Sequence, residues 1–175
     1  MFNIRITSII LILSLFFSAC SQQTKKEYWP DGKLKSEIHL KGTIYDGKAT
    51  WWYENGLKQM ECFYNNNQLD GILTRWFTNG NKKEELHYKD NQPEGANTAW
   101  EIGGNKILQC FYTKGILNGP FKEWYPNSEL KAEGQYKMGK IDGKWYFYDI
   151  NGQVLEIRNY SNGELLKKVG MEISN

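Results

Sequence analysis

Apolar and aromatic residues recur along this chain every 24 residues, without insertion or deletion, from Tyr28 onward. Within each period, runs rich in aromatic and β-branched residues alternate with short polar segments that contain Asn and Gly. The runs predict β-strands, and the Asn-Gly segments predict hairpin turns. A fixed period of this length is typical of an array built from one supersecondary unit.

Positions that are 24 residues apart form columns, and the second copy, residues 48–71, shows all of them. Two columns are aromatic: Trp52, Trp76, Trp100, Trp124 and Tyr148, and then Tyr64, Tyr88, Tyr112, Tyr136 and Tyr160. A turn column holds Gly32, Gly56, Gly80, Gly104 and Gly152, with Ser128 in the fifth copy. The first copy has Tyr28 in the Trp52 column and Leu40 in the Tyr64 column. Because aromatic residues recur at these positions from copy to copy, we interpret them as structural contacts between copies.

Six copies over residues 28–167 predict an all-β fold, an extended single-layer antiparallel meander of six β-hairpin repeats. Two lengths are possible for the turn at Asn55-Gly56. A three-residue turn over 54–56, with Gly56 left-handed, is favoured over a two-residue turn because it places Trp52 and Thr50 on the face of Cys62.

The second turn of each copy is also predicted to have three residues, around Asn67. Leu69 and Trp76 are seven residues apart and would point to opposite faces of a regular strand. A bulge at Gly71 is expected to bring both to one face.

Composition supports a thin, turn-rich β array, since 15% of the residues are aromatic and 17 of 175 are Gly. The formal net charge is only +2. It gives no indication of a nucleic-acid partner.

The N-terminus has the pattern of a secretory signal peptide over residues 1–19. A single positive charge at Arg5 precedes an apolar run over 6–17, too short for an ordinary membrane span of about 20 residues. The sequence Phe17-Ser18-Ala19-Cys20 resembles the lipobox of bacterial lipoproteins. That resemblance implies lipidation of Cys20 and anchoring to a membrane of the bacterial cell envelope, facing the periplasm or the cell surface. A plain secretory signal with an incidental cysteine is the alternative. Residues 20–27 are then a lipidated Cys and a polar tether.

The repeat resembles the MORN repeat variant, a bacterial relative of membrane occupation and recognition nexus repeats. The residues that carry the resemblance are Trp52-Tyr53-x-Asn55-Gly56, then Tyr64, then Asp70-Gly71. It implies an interaction or membrane-associated repeat, and some bacterial members carry an antitoxin label. The fourth copy departs from the motif at Ile102-Gly103.

No arrangement of residues predicts an enzyme, a metal site or a cofactor. The only histidines, His39 and His87, lie in one column two copies apart, and so do Cys62 and Cys110. In a meander such positions are about 19 Å apart, whereas a disulfide needs Cα atoms within roughly 7 Å. We therefore expect no shared metal and no disulfide, and two buried cysteines that act as small apolar side chains.

The late copies carry extra apolar residues that are expected on the face opposite the aromatic columns. They are Phe121, Tyr125, Trp145, Phe147, Leu155 and Ile157. Such an apolar patch either binds a partner or is covered by the C-terminal tail, residues 165–175. Residues 168–175 are the part of this tail that follows the repeat array.

The sequence thus predicts a noncatalytic envelope lipoprotein that is tethered at Cys20 and acts as a protein-interaction scaffold. One alternative is an antitoxin or immunity protein that neutralises a toxin by binding it. Another is a module that binds cell-wall glycan or lipid headgroups.

Overall fold

A computed structural model describes residues 21–170, which form one open antiparallel sheet. Cys20, the predicted signal peptide and the tail beyond Gly170 lie outside the described residues. Between residues 21 and 170 no helix is long and apolar enough to cross a membrane. The predicted all-β meander is confirmed.

Fifteen strands make up the sheet, and their order in the sheet follows their order in the chain. They are β1 Gln22–Tyr28, β2 Leu34–Lys41, β3 Ile44–Trp52, β4 Lys58–Asn65, β5 Gln68–Leu69, β6 Gly71–Trp76, β7 Lys82–Lys89, β8 Gln92–Trp100, β9 Lys106–Thr113, β10 Ile116–Leu117, β11 Gly119–Trp124, β12 Leu130–Lys137, β13 Lys140–Tyr148, β14 Val154–Ser161 and β15 Glu164–Gly170. The short strands β5 and β10 pair only with β4 and β9, so the main path has 13 strands.

The first turn of each copy has three residues, as predicted. In the second copy the Tyr53 N–H donates to the Leu57 carbonyl and the Gly56 N–H donates to the Tyr53 carbonyl, both at 2.9 Å. Gly56 has a φ of 85°, and Ser128 adopts the same left-handed region with a φ of 70°. The turn column is glycine-rich because the closing residue of the turn needs this conformation.

A bulge beside this turn changes which side chains lie on the same face of the sheet, compared with the prediction. Trp52 pairs with Lys58 but Trp51 pairs with Met60, so Gln59 has no partner across the strands. Beyond the bulge Thr50 lies opposite Glu61, and Ala49 lies opposite Cys62. The prediction that Trp52 and Thr50 share the face of Cys62 is therefore wrong, because the extra residue shifts the pairing by one.

The second turn is shorter than predicted. Asn65 pairs with Gln68, which leaves two turn residues, Asn66 and Asn67, with φ values of 49° and 65°. Two consecutive residues with positive φ form the type I′ turn that suits a two-residue hairpin.

The column of the second turn holds Asn67, Asn91, Gly115, Gly139 and Gly163, but Thr43 in the first copy. The reason for this difference is again the turn geometry. In the first copy the turn residues are Gly42 and Thr43, and the positive φ of 64° belongs to Gly42. Glycine at the first turn position is the preference of a type II′ turn, which does not require positive φ at the second.

Gly71 does mark an irregularity, but it does not unite Leu69 with Trp76. The register shifts between the pairs Tyr64–Leu69 and Met60–Arg75 by two residues, so side-chain parity is kept. Leu69 packs with the core, whereas the Trp76 ring lies under the Lys58 ammonium on the opposite face. Gly71 has a φ of 124°, and a Cβ there would lie 3.3 Å from Phe63 Cβ.

The core is a row of side chains that crosses the strands on one face of the sheet. Its most buried early members are Ile38, Ala49, Cys62, Leu73 and Leu86, and this side is called the core face. The opposite face carries Thr50 and Glu61. No second layer of described residues packs on the core face, since the strands contact chiefly their sheet neighbours.

Both ends of the sheet are exposed edge strands, and both differ from expectation. Residues 22–27, predicted as part of a tether, form β1 together with Tyr28 and pair with β2. Residues 164–170 form β15 along β14 and do not fold over the late copies. The lysines at these edges, among them Lys25 and Lys167, oppose pairing with further strands.

The contact between Gly134 and Trp145 allows a test of how the core row accommodates a large side chain. Trp145 is buried and its indole ring lies against Gly134, where an added Cβ would enter the ring. We expect Gly134→Ala to destabilise the protein by about 1–3 kcal/mol in chemical denaturation. Gly170→Ala is the control, because nothing lies within 4 Å of its Cβ position and its change should be small. Equal stability of the two variants would contradict this packing.

Ser128 tests the cost of the left-handed turn position. Because Ser128 has a φ of 70°, Ser128→Gly should raise the free energy of unfolding by about 0.5–1 kcal/mol. The control Ser161→Gly, within β14, should lower it, since glycine weakens a strand. A stabilising effect of both variants would refute the conformational explanation.

Candidate interaction surface

Side chains at the three-residue turns bind each copy to the next. The Tyr53 hydroxyl donates to the Trp76 carbonyl at 2.8 Å, and Asn55 Nδ2 donates to the Thr78 carbonyl at 2.7 Å. The equivalent amides of Asn79 and Asn127 donate to Ile102 and Ile150. These bonds explain why Asn recurs before the turn glycine.

At the two-residue turns that end in Asn, the backbone and the side chain of this second turn residue both bind the preceding copy. The Asn67 N–H donates to the Tyr45 carbonyl of the preceding copy at 2.8 Å, and the Asn67 Oδ1 accepts from the Tyr45 N–H at 2.7 Å. Asn91 repeats the pair of bonds with Leu69. Both ends of the hairpins are therefore fixed to neighbouring copies.

The fourth copy lacks the usual donors but is held by another residue. Glu101 and Gly103 replace the aromatic and Asn positions of the turn. Asn105 Nδ2 donates instead to the Pro126 carbonyl at 3.0 Å. The fourth copy is thus structurally complete despite its departure from the motif.

The tryptophan column lies on the opposite face, where it alternates with lysines. Lysine ammonium groups lie 5.4 to 5.6 Å from ring centroids in the pairs Lys58–Trp76, Lys82–Trp100 and Lys106–Trp124. Lys58 also contacts Glu61 at 2.7 Å. Such cation–π contacts join adjacent copies, which supports the structural interpretation of these tryptophans.

One column on this face is acidic, and its side chains pair with basic and hydroxyl groups. The column holds Glu37, Glu61, Glu85 and Glu133. Glu133 accepts a hydrogen bond from the Tyr148 hydroxyl at 2.8 Å, and this bond lowers the pKa of its carboxyl. Burial, reinforced by that carboxylate, raises the pKa of Tyr148 to about 12. These carboxylates are ion-paired or hydrogen-bonded side chains of a strand face.

The two cysteines within residues 21–170 are buried in the sheet, far from each other. Cys62 and Cys110 are free and buried, and burial raises the pKa of the Cys62 thiol to about 11. His87 Nδ1 lies 2.8 Å from the Ala96 carbonyl. Within residues 21–170 no group of His, Cys, Asp and Glu could hold a metal ion.

The predicted late patch is only partly assembled, and half of its residues lie on the core face. Phe121, Trp145 and Phe147 cluster with Tyr136, with ring centroids 5.2 to 6.3 Å apart. The expectation that these residues lie opposite the core is wrong, because the bulges exchange the faces. Trp145 is buried, and the Arg158 guanidinium lies 4.5 Å from the Phe147 ring centroid.

The remaining three patch residues lie elsewhere. The Tyr125 ring lies under Lys131 at 6.0 Å, and its hydroxyl donates to the Tyr148 carbonyl. Leu155 falls at the bulge of β14, without a strand partner, and Ile157 lies opposite Val169 beside β15. The six residues therefore do not form one surface.

A second surface feature was not predicted from the sequence. Two adjoining hollows of about 270 and 400 Å³ share Tyr53 and Gln59 at the turn end of the early copies. Trp51 and Met60 line the first, and Trp29 lines the second. We call this feature the copy-two groove. One sequence signal of the groove is Gln59, in a column that holds Lys in the first, third and fifth copies.

Comparison with known proteins agrees with this architecture. The sequence profile described as MORN repeat variant matches residues 24–41, 45–67, 69–90, 117–138 and 141–169. It leaves out the divergent fourth copy, which the structure nevertheless forms from β8 and β9. No curated protein matches the chain. Since the matched segments cover more than half of its residues, the chain belongs to the MORN repeat variant family.

Proposed function

We propose that this protein is a noncatalytic scaffold that binds a protein partner on the core face of its sheet. Repeats of this family are consistent with a scaffold role and are generally noncatalytic. The isolated histidines and buried cysteines of residues 21–170 agree with a binding role rather than a chemical one.

A single observation carries this proposal: the core face has half-buried aromatic residues along its length but no covering layer among the described residues. Trp51, Tyr64 and Tyr88 pack around the early core, and Phe121, Tyr136 and Phe147 continue the face in the late copies. Thirteen strands spaced by about 4.8 Å extend for roughly 58 Å. Such a face offers room for a partner of standard interface size, about 800 Å².

The aromatic residues suit protein recognition because they combine a large apolar area with few rotatable bonds. Tyr and Trp are enriched where partners bury their rings, and little side-chain entropy is lost on binding. Here the neighbouring rings already fix one another, as the Phe121 and Trp145 centroids lie 5.2 Å apart. The late copies therefore present a preorganised surface.

We also propose that the scaffold is anchored to a membrane of the bacterial cell envelope by lipid at Cys20. The apolar run over 6–17 and the lipobox-like Phe17-Ser18-Ala19-Cys20 support this assignment. The described sheet begins at Gln22, two residues after the proposed lipid. The first strand would then lie close to the membrane surface and the late copies far from it.

The partner proposal is tested by photo-crosslinking in intact cells from position 147, on the core face. We expect one abundant protein adduct, identified by mass spectrometry. The matched control places the crosslinker at position 122 on the opposite face, where Lys122 pairs with Glu133. A toxin as the adduct would assign an immunity role to the same surface. No protein adduct at 147, or equal adducts at both positions, would contradict the proposal.

The anchor proposal is tested by Cys20→Ser. We expect loss of the lipid modification, measured by mass spectrometry of the mature chain, and release from the membrane fraction. Cys62→Ser is the control, because Cys62 is buried within the sheet and should leave fractionation unchanged. A lipid-modified Cys20→Ser protein would refute the anchor.

A further inference from the structure

One aromatic ring of the early copies lacks the cation that covers its equivalents. Lysines of the Gln59 column lie over rings of the Tyr53 column in three copies, in the pairs Lys35–Trp29 at 4.9 Å, Lys83–Phe77 at 5.7 Å and Lys131–Tyr125 at 6.0 Å. In the second copy this lysine is replaced by Gln59. No cation within residues 21–170 lies over the Tyr53 ring.

The Tyr53 ring is held in place by its own copy and by the next. The Tyr53 backbone N–H donates to the Leu57 carbonyl at 2.9 Å, and the Tyr53 hydroxyl donates to the Trp76 carbonyl at 2.8 Å. Both ends of the residue are thereby fixed. A ligand that stacks on the ring does not have to order it, which lowers the entropic cost of binding.

The uncovered ring lies where the two hollows of the copy-two groove meet. Trp51 lines one hollow and Trp29 lines the other, so aromatic side chains flank Tyr53 on both sides. Trp51 is the only aromatic residue at its position in the first four copies, where the others have Glu27, Arg75 and Ala99. The groove is thus particular to the second copy and is not required by the repeat.

The polar lining of the groove combines the Gln59 amide and the Glu54 carboxylate with two cations, Arg75 and Lys83, that other side chains already engage. The side chains of Gln59 and Glu54 have no hydrogen-bond partner in the described part of the chain, and both line the hollows. The cations nearby are engaged, since Arg75 contacts Glu84 at 2.7 Å and Lys83 lies over Phe77. This arrangement does not favour a phosphate group, which needs available cations.

We infer that the copy-two groove binds a carbohydrate chain of two or three sugar rings. The apolar face of a sugar ring packs on a flat aromatic side chain, and an amide and a carboxylate together donate to and accept from its hydroxyl groups. Two shallow hollows of about 270 and 400 Å³ on either side of Tyr53 fit consecutive rings better than one deep apolar ligand. This inference concerns the groove in the early copies, whereas the partner proposal is tested at position 147 in the late copies, so either can fail without the other.

Gln59→Lys provides the sharpest test, because it installs the residue that three other copies carry. The new ammonium is expected to cover Tyr53 and to block stacking while the fold is kept. The full-length chain, in a detergent without a sugar headgroup, is titrated with soluble trisaccharides of glucose, galactose, mannose and N-acetylglucosamine. Binding is followed by calorimetry and by tryptophan fluorescence, which reports Trp29 and Trp51.

We expect the wild type to bind at least one trisaccharide, and Gln59→Lys and Tyr53→Leu each to weaken that binding by about tenfold or more. Lys131→Gln is the matched control, since it changes the same column in the fifth copy and should leave the affinity unchanged. Unaltered melting temperatures confirm that Gln59→Lys and Lys131→Gln are folded.

Two results would overturn the inference. One is the absence of binding by any of the four trisaccharides at millimolar concentration. The other is equal binding by wild type and Gln59→Lys, which would place a sugar site outside the groove. If a mixture of short peptides, and no sugar, shifts the fluorescence of wild type but not of Gln59→Lys, the groove is a peptide site and the carbohydrate assignment is wrong.

Discussion

Hydrogen bonds between the turns of successive copies are the interaction on which this sheet depends. A single layer has no second layer to hold its strands in register, so each copy must be positioned by its neighbours. At one end the Asn67 backbone N–H donates to Tyr45, and at the other the Asn55 amide donates to Thr78. Because the bonds repeat along the array, the register set by one copy is passed to the next.

This constraint explains which substitutions the array tolerates. The fourth copy loses its turn asparagine, but Asn105 supplies an equivalent bond from a neighbouring position. In the core row, the large Trp145 is accommodated because Gly134 lies beneath it. Asn97 interrupts the same row, and its buried Oδ1 has no hydrogen-bond partner among the described residues. It separates the apolar surface of the early copies from the aromatic cluster of the late ones.

The same logic separates residues that hold the array from residues that are available for binding. Three tryptophans of the regular column, Trp76, Trp100 and Trp124, are covered by lysines of the preceding copy. Tyr53 is different, because Gln59 leaves one ring without a cation at a place where two hollows meet. The proposed glycan groove thus lies at a position where copies differ from one another. In a repeat protein, such differences are where specificity can arise without loss of the scaffold.

The sequence by itself determined the period, the number of copies and the place of each turn. These follow from local backbone chemistry, since residues such as Gly56 and Asn67 occupy conformations that few other residues adopt. It also identified the buried cysteines and the all-β meander. What only the tertiary structure decided was the facing of the columns and the grouping of the late apolar residues. The reason is Gln59: one residue without a cross-strand partner reverses which side chains share a face, and that depends on pairing between strands rather than on the pattern within either. The tertiary structure also decided that the segments at the two edges join the sheet. An edge strand offers unpaired backbone groups to any segment within reach.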